Sequence, residues 1–182
     1  MQQQEYLDKF EQKLLENLIT FCTSKGWLDG KMQETPDITQ KWDSISPSYI
    51  KDALKEVQKY ESVTLAWPVY IGMAIAKYWD TEWDIYSKHE NLYLHLRDKR
   101  GFDYLDEVVR GQILCLDKED FTKCEDMVRE CVFFVMSAIR KEQVERGSVT
   151  AFYVYTRSLY VLYRIGAAIE LKKLGYKMEK MQ

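Results

Sequence analysis

Glycine and proline are scarce. Eight glycines and three prolines in 182 residues are too few for an all-β or loop-rich chain, whose turns draw on both. Histidine is scarcer, with two, which confines imidazole chemistry to His89 and His95. Neither has a glutamate three residues before it, so the Glu-x-x-His signature of di-metal helical bundles is absent. Four cysteines (Cys22, Cys115, Cys124, Cys131) show no Cys-x-x-Cys spacing, which removes the usual zinc and dithiol patterns. There is no HExxH, no Walker lysine loop, no GxGxxG and no GxSxG. No cofactor and no metal is expected from these absences, and the balance leans away from an enzyme.

A long apolar run is missing too. Between positions 63 and 76 the only clearly polar side chain is Thr64, and charge returns at Lys77. A bilayer span needs about 20 apolar residues, so this stretch reads as a buried core helix and no membrane partner is expected. The start, MQQQEYLDKFEQK, lacks the basic and apolar regions of a signal peptide. The expectation is a cytoplasmic chain whose cysteines stay reduced. Nor is there a broad basic footprint. Residues 1–78 carry 9 basic and 11 acidic side chains, residues 79–130 carry 8 and 14, and residues 131–182 carry 9 and 4. A net −3 distributed this way gives no nucleic-acid signature; the polarity either orients self-association or pairs helices within the fold. No internal repeat or low-complexity segment is present.

What is present is helical periodicity and aromatic bulk. Five tryptophans and 13 tyrosines bury large areas while keeping polar atoms that need partners. Tyr6, Phe10, Leu14, Leu18 and Phe21 step by three and four, predicting a helix over 4–24. Residues 26–46 read as an irregular connection pinned by Trp27 and Trp42, with room for a short helix near 38–44. Ser46-Pro47 is a start signal for a helix to about Tyr60. The central helix is expected over about 68–87, entered at Pro68, because proline disfavours helix at and before itself. Residues 89–101 read as a short helix or an extended link. Asp103 is a candidate cap for a helix over 104–115, with Leu105, Val108, Val109, Gln112 and Ile113 inward. Asp117 caps one over 118–145, whose apolar stripe is widened by Val132, Phe133, Phe134, Met136 and Ile139. Ser148 caps the last, 149–174, and residues 175–182 form a frayed basic tail. Gly72 in the central helix and Gly166-Ala167-Ala168 in the last are small enough for backbones to approach, so those helices are expected to cross there.

The expected fold is therefore all-α: one domain spanning 1–182, a mostly antiparallel bundle of about six helices around a buried central one. Two constellations stand out. Asp80, Glu82, Asp84, His89 and Glu90 follow the central helix, with Asp80 and Asp84 four apart on one face. They read as a solvated helix end, as one wall of a polar ligand site or, as the weakest alternative, as a carboxylate-bound metal site. Arg157, Tyr160 and Arg164 lie on one stripe of the last helix, where buried guanidiniums need partners. They read as an ion-pair network reaching Asp80 or Asp84, a solvated stripe, or an anion pocket. The tyrosines Tyr153, Tyr155, Tyr160 and Tyr163 read as core or subunit interface. Two functions follow. One is a non-enzymatic interaction or regulatory module that self-associates into a homo-oligomer through an aromatic helix face. The other is a binder or enzyme for a small anionic metabolite, using an Arg/Tyr/Asp cleft.

Overall fold

The structure, a computed structural model, describes residues 2–32 and 35–176. Among these residues there is no strand, and no helix is long and apolar enough to cross a membrane. The elements are α1 (Gln2–Ser24), α2 (Pro36–Thr81), α3 (Trp83–Tyr86), α4 (Leu92–Arg100), α5 (Leu105–Glu107), α6 (Lys118–Lys141) and α7 (Val149–Lys173). A 3₁₀ turn (Phe102–Tyr104) precedes α5 and a π turn (Val108–Ile113) follows it. The expected tail over 175–182 falls outside the described residues from position 177 onward.

Helix α2 corrects three expectations. The connection expected over 26–46 is shorter, because the helix already starts at Pro36 with Thr35 extended before it. Neither Ser46-Pro47 nor Pro68 starts a helix. The chain bends instead at Tyr60, whose φ of −136° and ψ of 54° separate a first segment, α2a (36–59), from a second, α2b (61–81). The central helix ends at Thr81 rather than near position 87. Proline removes the N–H that would serve the carbonyl four residues back. For Pro47 that carbonyl belongs to Asp43, an exposed residue within reach of water. For Pro68 it belongs to Thr64, which is fully buried. There the hydroxyl of Tyr49, on α2a, donates to the Thr64 carbonyl. A side chain from the other arm of the bend thus replaces the missing backbone donor, and α2b runs through its proline unbroken.

Ile71, Met73, Ala74 and Ile75 on α2b are completely buried. Full burial of one isoleucine or methionine side chain stabilises by about 1.5–3 kcal/mol. The most extensive helix contact is between α2 and α7, and it closes at the two glycines. A Cβ on Gly72 would stand 2.1 Å from the Tyr163 carbonyl oxygen, and one on Gly166 would stand 2.1 Å from that of Val69. The expected crossing is there.

Its direction is the surprise. Long segments alternate in direction along the chain, but α1, α2b and α7 all run the same way. Asp8 pairs with Arg157 near the start of α1, and the Gly26 carbonyl takes Lys172 past its end. Val69 faces Gly166 and Asp80 meets Tyr176. The tightest pair in this bundle is parallel.

The caps follow the sequence. Asp117 Oδ1 accepts from the Asp120 amide at 2.8 Å, and Ser148 Oγ from Ala151 at 3.0 Å. Residues 92–100 resolve as helix, with Asn91 Oδ1 accepting from the Leu94 amide at 3.1 Å. The stretch 104–115 differs more. Asp103 lies inside the 3₁₀ turn and caps nothing. In the π turn the Leu114 amide reaches back five residues to Val109. The wider turn rotates the inward face, so Arg110 is buried and Gln112 is exposed.

Candidate functional site

The nominated side chains fall in three separate places. Helix α2 ends at Thr81, and Glu82, with φ −145° and ψ 40°, breaks the run before α3. Asp80 and Asp84 are therefore on different helices, and the shared face expected from their spacing does not form. Asp80 accepts from the Tyr176 hydroxyl at 2.6 Å, while Asp84 is exposed on α3. His89 sits in the following turn. Its ring lies 4.9 Å from His95 and 5.7 Å from Tyr86, which stacks on Tyr78 at 3.7 Å. Burial holds the His95 imidazole below its ordinary pKa, and Lys99 and His89 push it the same way.

Arg157 points to α1, donating to Asp8 at 2.8 Å and to Glu11 at 3.4 Å. Tyr160 stacks on Trp42 at 6.3 Å, and the Arg164 guanidinium lies 5.2 Å from the Tyr160 ring. The parallel seam explains the separation. In an antiparallel crossing through Gly72 and Gly166, Asp80 would come opposite Arg157. In the parallel one it comes opposite the far end of α7, which lies roughly 24 Å from Arg157 at 1.5 Å per residue. The arginine stripe and the acid cluster share no cleft. No group of three or more His, Cys, Asp or Glu among the described residues could hold a metal ion.

The aromatic side chains divide between core and surface. Tyr163 is completely buried, stacked on Trp42 at 4.9 Å, and its hydroxyl donates to the Ile38 carbonyl at 2.6 Å. Tyr49 and Tyr93 are completely buried and meet edge to face at 5.2 Å. Of the four tyrosines expected in the core or at an interface, Tyr163 is buried, Tyr155 and Tyr160 are half-buried and Tyr153 is exposed.

Two buried charges escaped the sequence reading. Arg110 is buried against Asp106 at 2.8 Å. Glu170, on α7, is 6% exposed. Burial raises its carboxyl from the ordinary 4.5 to about 7, with Lys173 and Lys77 pulling it down and Asp80 pushing it further up. It is the only charged residue in the run from Ile165 to Leu171, and that is the signal for it. The folded chain thus holds a proton there up to about pH 7, whereas the unfolded chain releases it near the ordinary value. Stability contributed by this carboxyl is present at low pH and falls as pH rises through that window, by about 3 kcal/mol if the whole shift is realised. Urea unfolding of Glu170→Gln between pH 5 and 8 should show a flatter pH dependence than the parent. Identical pH profiles would dismiss this assignment.

An aromatic-lined concave surface lies between α1 and α6. These helices run antiparallel, joined at one end by the Tyr6 hydroxyl donating to Glu142 at 2.8 Å. At the other end Lys25 pairs with Glu130 at 3.6 Å, and the buried Cys22 and Cys131 thiols lie 3.8 Å apart. Between them is a groove of about 650 Å³. Phe21 and Phe134 stack on its floor with centroids 5.0 Å apart, and Phe133 on its wall is 55% exposed. Lys9, Lys13, Lys25 and Lys141 rim it. The sequence held a trace of this feature, because the apolar stripe of α6 is wider than its neighbours in the bundle cover.

No protein-family model, no curated protein and no solved structure matches the chain.

Proposed function

We propose that the protein is a non-enzymatic helical interaction module whose binding face is the α1–α6 groove. The observation that carries this reading is Phe133, a phenylalanine 55% exposed beside a 650 Å³ aromatic-floored trough. Aromatic side chains in concave, uncovered positions are the usual anchors of protein interfaces. A second face supports self-association, since Val149, Phe152 and Tyr153 at the start of α7 are 65%, 38% and 43% exposed.

The test uses an environment-sensitive apolar dye together with sedimentation velocity. The native protein binds the dye saturably, and Phe133→Asp abolishes that binding while leaving the helical circular dichroism unchanged. If Phe152→Asp alone dissociates an oligomer, the second face is the self-association surface. Native protein that takes up no dye and sediments as a monomer at every concentration would remove the interaction reading.

A further inference from the structure

We propose that the groove receives an acidic amphipathic α-helix from another protein, seated along α1 and α6 as an additional helix of the bundle. This rests on the interaction reading and names the partner's chemistry. The length fits a helix. The lining residues run from Tyr6 on α1 to Lys25 just past its end, and from Glu130 on α6 to Glu142 just past its end, so the trough is roughly 18–28 Å long at 1.5 Å per residue. The walls are themselves helical, with Phe10, Leu14 and Phe21 spaced by turns along one and Glu130, Phe133 and Phe134 along the other. Such walls present ridges that accept the apolar side chains of a third helix at i, i+3, i+4 and i+7.

The rim decides the sign of the partner's charge. Four lysines and two glutamates line the groove. The two glutamates are already engaged, Glu142 by the Tyr6 hydroxyl and Glu130 by Lys25. Lys13 and Lys141, on opposite walls, make no ion pair with any described residue, and Lys9 has only its exposed helical neighbour Glu5 at 2.8 Å. The uncommitted charge is positive on both walls. Carboxylates flanking an apolar stripe complement it on both sides. A fatty acid, with one carboxylate, would engage one lysine and leave the opposite wall unmatched.

The experiment is fluorescence anisotropy with synthetic amphipathic peptides of about 18 residues. One peptide carries a leucine/phenylalanine stripe with glutamate on the other faces, one carries the same stripe with lysine, and one carries the acidic composition in scrambled order. The acidic helix should bind at least about tenfold more tightly than the other two and should weaken as salt rises. Lys13→Glu combined with Lys141→Glu should reduce its affinity by about tenfold or more. Both side chains are exposed, so the fold is retained, and continued dye binding by this variant confirms that the floor is intact.

Equal affinity for acidic and basic peptides would overturn the proposal, as would indifference to the double reversal. So would displacement of the dye by a medium-chain fatty acid but not by the acidic peptide, or occupation of the groove by a second copy of the chain. In each of these cases saturable dye binding still leaves the broader interaction reading standing, whereas a native protein that binds no dye and sediments as a monomer removes both.

Discussion

Gly166→Ala is expected to cost the folded state about 3 kcal/mol or more, at the upper end of what overpacking does. For a chain of this size that is a fall in Tm of about 10 °C. The added methyl carbon would lie 2.1 Å from the Val69 carbonyl oxygen and 2.8 Å from its carbon. These are backbone atoms of a packed helix, so no side chain can swing away, and the seam between α2b and α7 must open. The gain in helix propensity, about 1 kcal/mol for alanine over glycine, is too small to compensate. Gly72→Ala makes the reciprocal collision with the Tyr163 carbonyl oxygen and the Ala167 amide nitrogen, at 2.1 and 2.9 Å. The two substitutions together should cost less than their sum, because the helices need to separate only once. Gly111→Ala is the control, since a methyl there meets nothing within 4 Å. Thermal unfolding of the set decides the matter. A Gly166→Ala protein within about 0.5 kcal/mol of its parent would mean that the helices do not touch as described.

Arg110→Ala is expected to be comparably severe, about 3–5 kcal/mol by urea unfolding, the range for breaking a buried ion pair from one side. The Arg110 side chain is 3% exposed and holds Asp106 at 2.8 Å and Glu125 at 3.5 Å. It also donates to the carbonyl oxygens of Phe121 at 3.1 Å and Asp106 at 3.3 Å. Its guanidinium lies 3.8 Å from the Phe121 ring and 5.5 Å from Tyr70. Removing it leaves a half-buried carboxylate and a backbone carbonyl without their donor. Arg110→Lys should recover less than half of the loss, because an ammonium offers neither the planar stack nor the forked donors. Replacing Arg110 by Met together with Asp106 by Leu should recover more, since an apolar pair leaves no charge stranded. A cost under about 1 kcal/mol for Arg110→Ala would show that the pair is solvated rather than buried.

The sequence was legible where one residue acts on its own helix. The caps Asp117 and Ser148 and the stripe of α1 are local chemistry, and the small residues at 72 and 166–168 announce a close approach. It was less legible where the deciding partner is remote. The reading of Pro68 as a helix start counted the lost N–H, but nothing nearby in sequence says that Tyr49 will serve the Thr64 carbonyl. Small residues show that two helices meet without showing which way they run, and the anion cleft depended on that direction. Arg157 did find carboxylates, but on α1, and it is only half-buried. Arg110 entered the core because a π turn rotated the face, a change of period that apolar spacing alone does not disclose. The groove is half visible in the surplus width of the α6 stripe, which includes Phe133 and Phe134.

The parallel seam has a temporal side. Its halves, Val69 to Gly72 and Tyr163 to Ala167, are separated by about half of the chain. At a synthesis rate of about 5–20 residues per second, α2b waits roughly 5–20 s for its partner to be made. During that interval the Val69–Gly72 face has no α7 to cover it, so the greasiest stretch of the nascent chain is left in a provisional collapse.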